Sequence, residues 1–549
     1  MNNRTRWLVA SAAFSPMLLV YALHFVTAPD GATFTGFLHY DQPSYMAFAR
    51  EYFDNGLSAT YGLPFTSDHA TPRIYFQPHT FLLGWIAWIT GADPGLVYVV
   101  FGILFGISMF RIAINLLEAA SVSVAGTAGF LTCICFLWGG GLLWIPGSIA
   151  AFTSETPATY SFLRKAIFAF DPFFGFWFLN LGRNVYFSVE AYYHCLFLAG
   201  AIFVLKKKYV PGLVIAATLA ISHPFTGIEF LLVLAGFSAF EIARRTEDRP
   251  PAYFAVSVLL LLAAHITYYL VVLNFLSDDH RQLQTQWALS WIVDLISLFY
   301  GYGPIGVIAL LSLCRQGLGS LRHQRAARFF LIWFIVCFGL VKHDLLIPPH
   351  QPVHFTRGYV WMPLFLLAAP LIRHFFEDTI QRHRHLLVRL SAAFFMVVFV
   401  SDNILWFARS YLDAIWQYSG SGPEDDKAFY LTTDARATFN LLASSRLRDS
   451  LLVSNDSDFS YLATVYTPLR AWRSHRFATP HEGTRKQEIQ TFLKSGIEPP
   501  IWKIRPLTVV IDRSQDIDDV AKRLPGRGFE VIADLGDYVT FHRPVASNR

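Results

Sequence analysis

The chain has 549 residues, of which 54% are hydrophobic, 16% aromatic and only 15% charged, and its mean hydropathy is +0.39. Soluble domains carry about a quarter charged residues, so this composition excludes an ordinary soluble protein and indicates a polytopic membrane protein. The net charge of +5 is too small to indicate a nucleic-acid partner, and the five cysteines lie in apolar stretches, so no disulfide framework is predicted.

The first apolar segment covers residues 7–27 and follows two arginines, Arg4 and Arg6. Positive charge ahead of a span favours a cytoplasmic N-terminus, which places residues 28–78 outside. Because further apolar segments follow and no small-residue cleavage site is evident, we interpret residues 7–27 as an uncleaved signal anchor.

Residues 39–79 form the first long polar interruption. Within them, aromatic and apolar side chains recur at helical spacing, at Tyr45, Phe48, Ala49, Tyr52 and Phe53. Pro43 in the first turn and Gly56 beyond the end are helix start and stop signals. The pattern predicts an amphipathic helix over 43–55 on the membrane surface, with the carboxylate of Asp41 at its N-terminus.

Basic clusters at 206–208, 244–245, 315–328 and 373–389 indicate cytoplasmic loops between the later spans. The interrupted segment between the first two clusters must then cross twice, with His223 and Pro224 at its outer tip. Its first half has about 14 residues, or roughly 21 Å, which is shorter than the ~30 Å hydrocarbon core. If the Phe-rich segment 166–181 also crosses, the pattern predicts about 13 spans, and about 11 if two segments are re-entrant.

Beyond residue 410 the composition becomes that of a soluble domain. A polar linker at 421–426 precedes stretches that alternate between helix and strand patterns. The predicted fold is therefore mostly α: a transmembrane domain over 1–410 and a small external α/β domain over 411–549. We find no glycine-rich phosphate loop and no metal-ligand spacing, so no cofactor is expected and a divalent cation is not indicated.

The predicted external face collects carboxylates, imidazoles and guanidinium groups. A carboxylate can take a proton from an attacking hydroxyl, and cations can hold a phosphate leaving group, so this set suits group transfer. The candidates are His39, Asp41, Asp68, His69, Arg73 and His79 in the first loop, with His223 and Arg357 further along the chain.

Each candidate also has a structural interpretation. Asp41 can cap its helix, a position that favours an ionised carboxylate. Asp68 and His69 can belong to a solvated turn. His223 can be a core histidine satisfied by backbone at the helix break, and Arg357 can be an interfacial anchor.

The order of these features resembles the GT-C superfamily, polytopic glycosyltransferases that take sugars from polyprenyl-phosphate donors. A first span precedes a large external loop that opens with an acidic residue, and an aromatic-Gln77-Pro78-His79 sequence leads into the next span. Segments 454–459, 464–467 and 479–485 are similar to the tail of uncharacterised bacterial membrane proteins of this type. Asp41 matches the family's catalytic base. The usual acidic pair is absent, because His39 stands where the first acidic residue would be.

The resemblance implies a sugar donor linked to polyprenyl phosphate that enters from the lipid bilayer. An acceptor hydroxyl on an envelope glycan, lipid or protein would approach from outside and be deprotonated by Asp41. Cations among Arg73, His223 and Arg357 would bind the donor phosphate, and the implied location is a bacterial inner membrane.

Two alternatives remain open on sequence alone. A transporter or flippase of a lipid-linked substrate would pair charges near the middle of the membrane, such as Arg111 with Glu190. An envelope scaffold protein would have no closed pocket above the 39–79 loop.

Overall fold

The computed structural model describes residues 1–54, 56–67, 71–156, 159–172, 177–245, 249–317, 323–381, 386–417, 429–515 and 518–544. The predicted linker at 421–426 and the candidate residues Asp68 and His69 lie outside these ranges.

Seven helices in the described part of the chain are long and apolar enough to cross a membrane. The first coincides with the predicted segment 7–27, and together the seven confirm the polytopic helical fold. They comprise Asn3–Val26, Pro94–Ala119, Ser188–Leu205, Pro224–Ala243, Ala252–Phe275, Leu295–Gln316 and Leu386–Ile415.

Further helices occupy most of the remaining predicted spans, at Pro78–Thr90, Gly126–Trp138, Tyr209–Ser222, Arg325–Val341 and Trp361–Gln381. Tyr209–Ser222 has 14 residues, as the helix break before Pro224 predicts, because a proline ring clashes with a continuing helix. Shorter helices cover Trp144–Phe152, Tyr160–Ala166, Gly182–Tyr186 and Asp278–Gln286.

The predicted span at 166–181 is wrong. A helix of seven residues ends at Ala166, and turns follow it. The carboxylate of Asp171 accepts hydrogen bonds from the backbone N–H groups of Trp177 (3.1 Å) and Phe178 (2.6 Å). A side chain that binds nearby N–H groups competes with the helical hydrogen-bond ladder, and the described residues 167–172 and 177–181 lie in turns and bends instead of a helix.

The chain divides into two compact units. The first unit consists of residues 1–21, 101–269 and 288–412, and the second of residues 22–100, 270–287 and 413–549. The division at residues 412 and 413 lies near the predicted boundary at residue 410. The tail, however, belongs to the same unit as the first loop.

In the first unit, helix Leu295–Gln316 packs against Trp361–Gln381, and Pro224–Ala243 packs against Arg325–Val341. One buried ion pair inside it joins two helices: Arg328 donates two hydrogen bonds to the carboxylate of Glu241, at 2.5 and 3.1 Å, and both side chains are buried. A bidentate pair of this kind limits the cost of burying two ions.

The second unit contains the predicted α/β fold. Strands β1 (Ala32–Phe34) and β2 (Tyr430–Thr432) pair antiparallel, with Thr33 opposite Leu431, so the first loop and the tail share a small sheet. A five-stranded sheet has the order β4-β3-β5-β7-β6, in which β3 is parallel to β4 and β5, whereas β7 is antiparallel to β5 and β6. Its strands are β3 (Leu451–Ser454), β4 (Arg470–Ala471), β5 (Leu507–Asp512), β6 (Glu530–Leu535) and β7 (Tyr538–Arg543).

Apolar layers cover both sides of this sheet. One centres on Trp502 and Phe492, and the other on Phe439 and Phe459. The helices of the tail are Thr433–Leu442, Ser457–Tyr466, Glu482–Ser495 and Asp518–Arg523.

The predicted amphipathic helix exists but covers Gln42–Glu51, and it ends before residue 55. It packs against helices Pro78–Thr90 and Ser457–Tyr466. A Cβ at Gly84 would lie only 2.2 Å from the carbonyl oxygen of Ala49, so glycine is needed for this close approach. Even its polar residues, such as Gln42, are buried. Protein therefore covers most of this helix, and its position at the membrane surface stays a prediction.

Candidate active site

Asp41 lies immediately before helix Gln42–Glu51, at the N-cap position, but its carboxylate does not cap the helix. Its backbone is helical (φ −77°, ψ −15°), and its side chain accepts no hydrogen bond from the first turn. A capping residue normally has extended backbone, which directs its oxygen to those N–H groups. The Asp41 side chain is 38% exposed, so its carboxylate is accessible for another role.

Two imidazoles contact this carboxylate. His475 Nε2 lies 3.2 Å from Oδ1 of Asp41, and His39 Nδ1 lies 3.5 Å from Oδ2. The two histidines differ in burial: His39 is partly exposed, whereas His475 is only 3% exposed. One oxygen of Asp41 is thus bonded to an ordered, buried group.

The chain is anchored both before and after His475. Arg470 in β4 is buried, donates to the carbonyl of Leu63 (2.7 Å) and pairs with Glu51 (2.7 Å). After the strand, the backbone N–H of Thr479 donates to the carbonyl of His475 (2.8 Å), which closes a turn. The strand and this turn together fix where the imidazole lies.

The other first-loop candidates have structural contacts. The guanidinium of Arg73 donates to the backbone carbonyls of Glu51 (2.6 Å) and Thr60 (3.1 Å), so it ties the loop to the helix. His79 is fully buried, and its ring centroid lies 5.9 Å from that of Tyr45. The structure brings His39 and Asp41 together.

In the first unit, a second cluster of charged residues surrounds Glu190. Its Oε1 lies 3.1 Å from Nε of Arg183 and 2.5 Å from Nη1 of Arg357. Glu190 and Arg357 are completely buried. Because two guanidinium groups share one carboxylate, this group of three carries an excess positive charge.

Arg357 is held by the backbone around it. Its Nε donates to the carbonyl of His354 (2.7 Å), and its own carbonyl accepts from Asn184 (2.9 Å) and His194 (2.9 Å). The interpretation of Arg357 as an interfacial anchor is wrong, because an anchor keeps its charged group at the membrane surface.

Some buried polar atoms of this cluster have no hydrogen-bond partner within the described protein: Nη2 of Arg357 and both ring nitrogens of His354. Buried polar groups in proteins are nearly always hydrogen-bonded, so such atoms indicate a bound ligand or water. Burial, followed by the nearby charge of Arg357, lowers the pKa of His354 well below its usual value. The ring stacks on Phe225 (centroids 4.2 Å apart) and Trp291 (5.7 Å).

His223 lies at the predicted helix break. Its Nδ1 accepts a hydrogen bond from the backbone N–H of Thr226 (3.2 Å), and its ring stacks on Tyr193 with centroids 4.6 Å apart. This supports the interpretation of His223 as a histidine satisfied by backbone.

The predicted pair of Arg111 with Glu190 is wrong, because Arg111 donates to Asn3 and Asn115.

Sequence reasoning missed His475, because no local motif distinguishes it. The only available signal was indirect: the tail segments 464–467 and 479–485, which resemble the tails of related proteins, enclose it. In the described ranges, no group of three or more His, Cys, Asp or Glu residues is arranged to hold a metal ion.

No protein-family model and no curated protein matches this chain. Several solved structures match this chain. The archaeal oligosaccharyltransferase AglB from Archaeoglobus fulgidus, in complex with an inhibitory peptide and a dolichol-phosphate, is 9% identical, with a TM-score of 0.48 over 98% of this chain and 74% of that chain. The apo form of the Archaeoglobus fulgidus oligosaccharyltransferase is 11% identical, with a TM-score of 0.47 over 93% of this chain and 69% of that one.

The complex of the same oligosaccharyltransferase with zinc and sulfate is 8% identical, with a TM-score of 0.47 over 92% of this chain and 68% of that one. With TM-scores below 0.5 and about a tenth of the residues identical, these structures assign neither an activity nor a substrate to this chain.

Proposed function

We propose that this chain is a membrane glycosyltransferase of the GT-C type, which moves a sugar from a polyprenyl-phosphate donor to an acceptor hydroxyl. The observation that carries the proposal is the Asp41 carboxylate, which is accessible yet held by the buried imidazole of His475 at 3.2 Å. A general base needs both properties, because it must reach the proton and be oriented toward it.

In the proposed step, the acceptor hydroxyl transfers its proton to the carboxylate of Asp41 while its oxygen forms a bond to the anomeric carbon of the donor sugar. The bond between that carbon and the phosphate oxygen breaks. The polyprenyl phosphate leaves with the electron pair, so charge and atoms balance.

The cluster around Glu190 supports a phosphate-linked donor. Arg357 offers a buried N–H group that lacks a protein partner, and the excess positive charge of Arg183 and Arg357 suits a phosphate. We therefore assign donor binding chiefly to Arg357. Arg73 and His223 receive less support, because Nε and Nη2 of Arg73 already donate to backbone carbonyls and Nδ1 of His223 already accepts from a backbone N–H.

The seven apolar helices support a multi-pass membrane protein. We further propose a bacterial inner membrane, a cytoplasmic N-terminus and an external tail, with an envelope glycan, lipid or protein as acceptor. No cofactor is included in this proposal.

The test uses the full chain in proteoliposomes. Undecaprenyl-phosphate carrying radiolabelled hexoses or pentoses is supplied in turn, with and without envelope extract as acceptor, and label released from the lipid is measured. We expect Asp41→Asn to lower turnover of the accepted donor by about 100-fold or more, as loss of a general base does.

The matched control is Asp93→Asn. Asp93 is a partly exposed aspartate of the same unit, paired with Arg436 at 3.0 Å, and its loss should leave turnover unchanged. Wild-type turnover by Asp41→Asn, or no turnover of any donor by the unmodified chain, would contradict the proposal.

A further inference from the structure

The imidazole of His475 is enclosed by aromatic rings. Its centroid lies 4.9 Å from those of Tyr40 and Tyr461 and 5.5 Å from that of Phe65. Only 3% of the residue is exposed. An imidazole packed in this way cannot change its orientation without displacing its neighbours.

The hydrogen bonds of the ring specify its tautomer. Nδ1 accepts from the backbone N–H of Phe477 at 3.2 Å, so the proton of the neutral ring is on Nε2. Nε2 faces Oδ1 of Asp41 at 3.2 Å. The neutral ring of His475 therefore donates its Nε2–H to the carboxylate.

The residue before Asp41 is fixed by the same part of the tail. Tyr461 Oη donates to the carbonyl of Tyr40 (2.9 Å), and the backbone N–H of Arg476 donates to Tyr40 Oη (3.1 Å). The Arg476 guanidinium also lies over the Tyr40 ring, 4.6 Å from its centroid. The backbone that carries Asp41 is thus held from several directions by residues about 420 to 436 positions later in the chain.

We propose that His475 is a positioning residue for Asp41, and that the α/β tail of the chain contributes it to the active site. This rests on the proposed function, in which Asp41 is the general base. The Nε2–H bond fixes one carboxylate oxygen and thereby the orientation of the other, Oδ2, which lies beside His39, and the bond stabilises the ionised carboxylate that accepts the proton.

Other titratable or charged groups near this pair are His39, Arg476, Asp458, Tyr40 and Tyr461. Burial raises the pKa of both tyrosines, so they stay neutral over the working pH range. Changes of the pH profile near neutrality on altering His475 therefore cannot arise from these two phenols.

The test compares variants of the full chain in the donor turnover assay. His475→Phe keeps a flat ring in the aromatic surroundings but removes the donor, and we expect kcat to fall by about 10- to 100-fold, as for loss of a supporting hydrogen bond, with KM for the donor unchanged. The acid limb of the kcat profile should move to higher pH, because the bond that favours the ionised carboxylate is lost.

A second pair of variants keeps the test valid if His475→Phe does not fold. The amide nitrogen of His475→Gln occupies the place of Nε2, whereas that of His475→Asn reaches only the place of Nδ1. We expect His475→Gln to recover most of kcat and His475→Asn to remain slow. The control is His481→Asn, at a partly exposed histidine of the same tail whose left-handed backbone (φ 54°) Asn tolerates, and it should behave as wild type.

Equal kcat values and pH profiles for wild type and His475→Phe, or equal rates for the Gln and Asn variants, would overturn the positioning role. In that case the loss of turnover in Asp41→Asn would still uphold the proposed function. Full turnover by Asp41→Asn would instead overturn the proposed function itself.

Discussion

Asp41 and Glu190 are both carboxylates that contact basic side chains, but they lie in opposite environments. Asp41 is 38% exposed and contacts two imidazoles, at 3.2 and 3.5 Å. Glu190 is completely buried and contacts two guanidinium groups, at 3.1 and 2.5 Å. An exposed carboxylate can exchange a proton with a substrate, whereas protonation of Glu190 would leave two buried cations uncompensated. The difference in exposure thus makes Asp41 a candidate base and Glu190 a buried counter-ion for two guanidinium groups.

The largest expected effect on stability is that of Glu190→Gln. Removing one partner of a buried ion pair typically costs about 3 to 5 kcal/mol, because the remaining charge is buried without compensation. We expect a loss of this size in the free energy of unfolding, measured by steric trapping in bicelles.

The matched control is Glu118→Gln, which removes the more exposed pair of Glu118 with Arg6 and should cost less than about 1 kcal/mol. Asp41→Asn should likewise change stability by less than about 1 kcal/mol, since its carboxylate is partly solvated. If Asp41→Asn lowered the free energy of unfolding more than Glu190→Gln does, the proposed contrast between an exposed base and a buried ion pair would be contradicted.

Glu51 provides an intermediate case. It is 8% exposed and pairs with Arg470 at 2.7 Å. Burial raises its pKa above 4.5, although Arg470 opposes that shift. The folded state therefore binds this proton more tightly than the unfolded state, so stability contributed by Glu51 is present below pH 4.5 and is lost as pH rises toward the raised pKa.

Glu51→Gln removes this titration. We expect the unfolding free energy of wild type, relative to that of Glu51→Gln, to fall with rising pH above about 4.5, by at most about 1.4 kcal/mol per pH unit. Thermal or bicelle unfolding from pH 4 to 7 measures this difference in free energy. If the difference instead increased with pH, the charge of Arg470 would have a larger effect on the pKa of Glu51 than burial has.

Much of the helical architecture was predictable, because it follows from local pattern. Spans such as Ser188–Leu205 and the break at Pro224 are set by apolar length and by proline. The conditional span at 166–181 is not a helix in its described residues, where Asp171 accepts two backbone hydrogen bonds, an effect that hydropathy does not include.

The site was only partly predictable. Asp41 could be identified from its place in the first loop, but its partner His475 is 434 positions away and is brought there by tertiary packing of the tail. The burial of helix Gln42–Glu51 was not predictable for the same reason, since its apolar stripe does not reveal that helix Ser457–Tyr466 also packs against it.

The most direct test of the central claim, that Asp41 is a general base, replaces the acceptor hydroxyl by azide in the donor turnover assay. Azide is already an anion, so it attacks the anomeric carbon without giving up a proton. We predict that Asp41→Asn loses transfer to hydroxyl by about 100-fold or more yet forms glycosyl azide as fast as wild type. Loss of azide transfer in step with hydroxyl transfer would contradict the claim, because it would show that Asp41 serves folding or donor binding instead.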